Sequence, residues 1–523
     1  MMMTRRHAMI LGLSTALLGS LGRFVAAQSL SGLPPNMKFD ANGFKTLSTE
    51  VITKSGAVKV TYRFWQAIPY VTRPVDLAYQ SLNISVPVEI DGKPVDASQA
   101  PVLFVIPVGG YMPASVANAA EIDGAKEPIG PIPGMPQAEN APLLATQSGS
   151  AMQVDRGQRV SNAKLGLAQG LVIVECGARG RTLVDAAGSY YGTAPAAIVD
   201  LKAAIRWLKA NRDDVPGNMD QIITSGTSAG GALSALVGAT GESPEYEPWL
   251  AEIGAVAGSD AVFAVGSWCP ITDLANADAA YEWNWGENPL ETGGKVDAAL
   301  SSDLAQQFAA YQARLNLEGD DGYGPLTAET LGPYLVARYL KDEASTHLAA
   351  LSDADRAEYL ASHPAIQWKD GQAAFDWTDF KRHVGARKKT LPAFDAFDLS
   401  TGENNLFGAG KVQARHFTNW ALRHASQDAT AELDADLPKL VHLMTPMPYL
   451  ATANPGRARN WWLRVGANDT DTSLSVVANL AAMAGSKGDL VNTRYYWDQG
   501  HGANIDADAF FAWISTITGY VPE

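Results

Sequence analysis

Cysteine is nearly absent. The chain of 523 residues has two, Cys176 and Cys269, each inside an apolar run. A disulfide framework is excluded, although one bridge between these two stays open. No CxxC pair suggests a zinc site. Positive charge is also scarce: the formal net charge is −15, and the only basic cluster is the short Arg387-Lys388-Lys389. Nucleic acid binding therefore has no electrostatic footing. Charged residues make up 18% and hydrophobic ones 46%, a globular composition rather than a disordered one. The one N-terminal apolar stretch, Ala8 to Leu21, is too short to span a bilayer comfortably.

That stretch reads as an export signal. Thr4-Arg5-Arg6 precedes it, and Val25-Ala26-Ala27 forms a small-residue cleavage site before Gln28. The arginine pair suggests twin-arginine export, with Sec export as the alternative because Ala8 departs from the usual pattern. No cysteine follows the signal, so no lipid or membrane anchor is expected. The predicted location is periplasmic or extracellular.

From residue 28 onward the pattern is α/β. Val58–Phe64 and Ser81–Val86 alternate with period two, as half-exposed antiparallel edge strands do. Val102–Ile106 and Leu171–Cys176 are continuous apolar runs, predicting strands buried on both faces. Residues 112–160, rich in Pro, Ala and Gly, predict a long surface excursion. Pro195 to Arg212 predicts a helix with Ile198, Leu201, Ile205 and Leu208 on one face. From Cys269 to about Met444 the chain turns helical and aromatic-rich, too long a segment for a loop. Strands return at Trp461–Val465 and Asn492–Trp497, with helices at Leu474–Ala484 and Asp508–Ile517. The predicted organisation is a signal at 1–27, an α/β core at 28–268, a mainly helical lid at 269–444 and the rest of the core at 445–523.

Chemistry enters at Gly226-Thr227-Ser228-Ala229-Gly230, between the strand-like Gln221–Ser225 and a small-residue helical run. Strand, G-x-S-x-G and helix together make the nucleophile elbow of an α/β-hydrolase fold. A serine hydroxyl needs a base. Of the eight histidines, only His501, in Gln499-Gly500-His501-Gly502, follows the final strand. The base in turn needs an acid, and the loop after Val465 offers Asp469 and Asp471. Spacing favours Asp469 and leaves Asp471 as the competitor. The order Ser228, acid, His501 is that of the α/β-hydrolases. Pro107-Val108-Gly109-Gly110-Tyr111 follows a central strand, so the N–H groups of Gly110 and Ala229 are the candidate oxyanion donors.

The chain resembles the bacterial tannases over nearly its whole mature length. The resemblance is carried by Arg179-Gly180-Arg181-Thr182-Leu183, by the elbow, and by Cys269-Pro270-Ile271-Thr272-Asp273-Leu274. Asp278–Trp283, Glu403-Asn404-Asn405-Leu406-Phe407-Gly408, Asp469-Thr470-Asp471-Thr472-Ser473 and Trp497–Gly502 complete it. It implies a serine esterase for a small galloyl ester, needing no metal or organic cofactor. It further implies Asp469 as the triad acid, and Asp471 and Glu403 as acceptors for the galloyl hydroxyls. A lysine shortly before Pro392 joins them. Lys389 is preferred on its spacing to Glu403, with Lys388 the alternative.

Overall fold

The computed structural model describes residues 33–124, 151–154 and 158–522. The expected export signal, and part of the excursion expected at 112–160, lie outside these residues. Nine strands form the path of one large sheet: β1 (Lys45–Thr53), β2 (Gly56–Pro69), β3 (Ser81–Ile90), β4 (Pro101–Ile106), β5 (Val172–Cys176), β6 (Asn218–Thr227), β7 (Ala264–Trp268), β8 (Asn460–Gly466) and β9 (Leu490–Tyr496). Their spatial order is β1-β2-β3-β5-β4-β6-β7-β8-β9, with the short Lys93–Pro94 beside β3. β1, β2, β3 and β5 pair antiparallel, and every pair from β5 to β9 is parallel. The fold is an α/β-hydrolase fold.

β4, β5, β7 and β8 are buried along their whole lengths, as strands covered by helices on both faces must be. The edge behaves differently from its alternation. β1 and much of β2 are half-exposed, but β3 is buried from Ser81 to Pro87. Its buried amide finds partners on the neighbouring strand and in the segment that covers it. Asn83 accepts the N–H of Ala67 at 2.7 Å and donates to the Val116 carbonyl at 2.9 Å. Residues 112–124 thus pack down on β3, with Ile122 fully buried, instead of standing off the surface.

Helices α1 (Ala196–Ala210) and α2 (Ala229–Ala239) follow the central strands, and α5 (Ser475–Ser486) and α6 (Ala507–Thr518) the last two. α1 is buried on more than its apolar face. Asp200 receives Arg179 at 2.9 Å, and Asp260 receives Lys202 at 2.7 Å and Arg206 at 2.8 Å. These pairs explain how charged residues reach the interior: each buried charge has a partner.

Between β7 and β8 lie α3 (Leu274–Trp285), α4 (Ala298–Leu315), further short helices and two small hairpins. α3 grips the loop after β8. Tyr281 donates to the Thr470 carbonyl at 2.7 Å and Trp285 to that of Thr472 at 2.8 Å. Glu282 on α3 forms a fully buried bidentate pair with Arg387. The same guanidinium donates to the carbonyls of Lys389 (2.9 Å) and Thr390 (3.1 Å), so it sets the path of residues 387–390. Among the described residues no helix is long and apolar enough to cross a membrane.

Removing one partner of a buried pair strands the other charge, at a cost of about 3–5 kcal/mol. Glu282→Ala is expected to lose stability on that scale in chemical denaturation. Glu282→Leu/Arg387→Leu should recover part of the loss.

Candidate active site

The sheet brings its carboxyl edge together where β6 turns into α2. A side chain at Gly226 would place Cβ 2.2 Å from the Gly230 carbonyl oxygen, and one at Gly230 would lie 2.8 Å from the carbonyls of Ile106 and Val108. Only glycine fits at both positions. Between them Ser228 takes φ 60° and ψ −122°, a strained conformation that lifts Oγ away from the strand. Its N–H donates to the Trp268 carbonyl at 2.9 Å, tying the turn to the end of β7.

Ser228 Oγ lies 2.9 Å from Nε2 of His501. The other ring nitrogen, Nδ1, is 2.9 and 3.1 Å from the two carboxylate oxygens of Asp469. Asp469 is fully buried, and its Oδ1 also accepts the N–H of Asp471 at 3.0 Å. Burial works to lower the pKa of His501. The Asp469 carboxylate, with the Cys269 sulfur behind it, outweighs burial and raises the pKa well above the ordinary value. Ser228, His501 and Asp469 therefore stand in one relay, and a base in this relay can take the serine proton.

Ala229 opens α2, so its N–H is among the first-turn groups without an intrahelical acceptor, at the positive end of the helix dipole. Gly110, in the turn after β4, has φ 55°. Its carbonyl accepts Nε of Arg181 at 2.7 Å, while the backbone N–H of Arg181 donates to Tyr111 at 3.0 Å. Arg181 also reaches Asn405 Oδ1 at 2.8 Å, two residues after Glu403. Burial lowers the pKa of this arginine, and the nearby Glu403 charge opposes that shift. Arg181 stood in the sequence inside a matched motif without a role. Its role depends on contacts 71 and 224 positions away, which no local pattern encodes.

Asp471 pairs with Lys388, whose Nζ lies 2.8 and 2.9 Å from the two carboxylate oxygens. Burial would raise the pKa of Asp471, but His501, Lys388 and Lys389 together lower it. Lys389 Nζ lies 3.6 Å from the centre of the Phe394 ring. The structure thus joins Asp471 to Lys388 directly, and to Lys389 only through its field. Glu403 occupies the first turn of the helix Gly402–Leu406, capped by Thr401.

The loop carrying His501 is held from the insertion. Asp498 accepts His383 Nε2 at 2.6 Å and the Tyr359 hydroxyl at 2.5 Å, and the His383 ring stacks on Trp497. Cys176 and Cys269 are both free thiols. Among the described residues, one group could hold a metal ion: Cys269, Asp469 and His501, with one ligand atom from each within 4.8 Å of the others.

Comparison with known proteins finds tannases and esterases. Residues 185–308 match the family model described as BD-FAE. The crystal structure of Fusobacterium nucleatum tannase is similar, with a TM-score of 0.73 and 32% identity over 92% of this chain and 99% of that one. Native tannin acyl hydrolase from Lactobacillus plantarum gives the same four values. A tannin acyl hydrolase in complex with ethyl gallate matches at 31% identity and the same coverage. Among curated proteins, esterase LipC of Mycobacterium tuberculosis is 44% identical over 71 residues, which span only 17% of its length. Esterase LipQ of the same organism is 37% identical over 90 residues, or 20% of its length.

The raised pKa of His501 fixes a sign. Imidazolium cannot accept the serine proton, so ester turnover is present above this pKa and lost as pH falls through it. The acid limb of kcat/KM is expected above pH ~6.5, the ordinary histidine value. Asp469→Asn removes the charge that stabilises imidazolium. It should move the limb downward and lower kcat by about 10⁴-fold, as loss of the orienting acid does in serine triads. A pH–rate profile of both proteins checks this.

Proposed function

The chain belongs to the bacterial tannase family of α/β-hydrolases, whose members are carboxylic ester hydrolases, and from that premise we propose that it is a secreted serine esterase cleaving galloyl esters. The observation that carries this reading is the relay from Ser228 through His501 to Asp469, with 2.9 Å links. Ser228 attacks the ester carbonyl as His501 takes its proton. The N–H groups of Ala229 and Gly110 receive the oxyanion. His501 returns the proton to the leaving alcohol, and water then releases gallate from the acyl-enzyme by the same route.

Residues 269–444 act as a lid that selects the acyl group. A galloyl ring presents three adjacent hydroxyls. Asp471 and Glu403 accept from them, and Lys389 donates or stabilises a phenolate. The Lys388–Asp471 pair favours Lys388 as a second cation at the same hydroxyls. Once a bound ring covers them, partners of this kind reject ring analogues that leave them unpaired, by roughly 10⁴-fold or more. Residues 1–27 direct export to the periplasm or the medium, and neither a cofactor nor a membrane anchor enters the reading.

Purified protein is expected to hydrolyse methyl gallate in preference to methyl ferulate, and Ser228→Ala should abolish turnover while keeping ligand binding. Ferulate turnover without gallate turnover would sink the galloyl reading and favour another phenolic-ester carboxylesterase. Glu403→Ala should depress methyl gallate hydrolysis far more than p-nitrophenyl acetate hydrolysis. Equal losses on the two substrates would count against a ring contact.

A further inference from the structure

Cys269 is the first residue after β7 and has φ 38°. Its backbone N–H donates to the Arg464 carbonyl at 2.6 Å, which seats it between β7 and β8. The side chain is buried, at 1% exposure. Its sulfur accepts the N–H of Gly502 at 3.2 Å, so the thiol faces the loop that carries His501. A thiol, an imidazole and a carboxylate thus converge with ligand atoms within 4.8 Å. That donor set suits a tetrahedral, thiophilic divalent ion. Ester hydrolysis as described passes the proton between Ser228 and His501 with Asp469 behind, and leaves the sulfur outside that relay.

We propose that Cys269, Asp469 and His501 form a binding site for a thiophilic divalent cation, Zn²⁺ or Cd²⁺, whose occupation switches the esterase off. The inference rests on the reading of Ser228, His501 and Asp469 as a triad. The cation takes the Nδ1 lone pair on the ring edge that Asp469 faces. The ring proton then resides on Nε2, and the thiol releases its proton to solvent on coordination. With His501 neutral, above its raised pKa, one proton leaves for each cation bound. Nε2–H now faces Ser228 Oγ, 2.9 Å away, as a donor, and cannot accept the serine proton. Asp469 compensates the cation instead of an imidazolium. Metal–sulfur bonds of about 2.3 Å and metal–nitrogen or –oxygen bonds of about 2.0–2.1 Å put ligand atoms about 3.5 Å apart. The thiol draws in toward that spacing, and the 2.9 Å contact between Asp469 and His501 opens toward it. The His501 side chain is 18% exposed, which gives the ion a way in. Cys176, the other thiol, is also buried, and its sulfur donates to the Gly177 carbonyl at 3.2 Å, so it serves as an internal control.

The test is a Cd²⁺ titration of the full mature chain, read three ways: the ultraviolet Cd–thiolate charge-transfer band, the far-downfield proton resonance of the Asp469–His501 hydrogen bond, and p-nitrophenyl acetate turnover. One Cd²⁺ per chain is expected to bring up the band, erase the resonance and stop turnover, all reversed by EDTA. Cys269→Ser should lose the band and need at least about tenfold more Cd²⁺ for half-inhibition, a floor set by losses seen at outer-sphere partners alone. Cys176→Ser should behave as the parent chain does. The proposal is overturned if Cys269→Ser keeps the band and the parent sensitivity. It is also overturned if the downfield proton of the unsubstituted chain persists at Cd²⁺ concentrations that stop turnover, a reading that requires no variant to fold. A chain that hydrolyses no ester yet gains the band and loses the resonance would refute the esterase reading and support the cation site.

Discussion

The structure depends on how closely one helix approaches the sheet. The first turn of α2 lies against the carbonyls of Ile106 and Val108 after β4, and its backbone meets Gly226 at the end of β6. No side chain fits at Gly226 or Gly230, and that contact fixes the direction of Ser228. It also brings the positive end of the α2 dipole beside the Gly109–Gly110 turn. Because Ser228 N–H is bonded to Trp268, β7 is locked into the same corner. The chain leaves that corner at Cys269, so the segment from Cys269 to β8 starts one residue beyond the backbone that holds the serine in place.

What the sequence made legible is local. Continuous apolar runs marked β4 and β5, and glycines flanking a serine marked the turn. A histidine after the last strand and an aspartate after the strand before it marked the other two relay members. What it hid depends on distance along the chain. Ser81, Asn83 and Ser85 alternate as an exposed edge would, and they are buried because residues 112–124 fold over them. Lys202 and Arg206 look like the wet face of a helix, but Asp260, over fifty residues later, draws both inside. Spacing chose Lys389 over Lys388, whereas the contact with Asp471 across 83 positions belongs to Lys388. His383 carried no signal at all, because its partner Asp498 lies 115 residues away.

Two buried carboxylates of the insertion, Asp278 and Asp395, are taken up by N–H groups. Asp278 accepts the backbone N–H groups of Phe394 (2.7 Å) and Asp395 (3.1 Å). Asp395 in turn accepts those of Phe417 (3.0 Å) and Thr418 (2.8 Å), the Asn404 amide (2.7 Å) and His416 (2.8 Å). Burial, with the Asp395 charge beside it, pushes the Asp278 carboxyl up to about 7. Directional bonds of this kind specify one backbone path where a purely apolar interior would tolerate several. The path so specified runs through residues 387–405, where Lys388, Lys389 and Glu403 are found.

Arg181 gives that arrangement a consequence for exchanging parts between relatives. Its guanidinium is shared between the Gly110 carbonyl of the core and the Asn405 side chain of the insertion. A transplanted insertion is therefore not a neutral module. Unless it brings an amide to the place of Asn405, it arrives with a buried cation short of an acceptor, beside the residue whose N–H is proposed to steady the oxyanion. Substrate scope and rate are then heritable together through one side chain, and recombination that respects only the edges of the insertion would separate what the guanidinium joins.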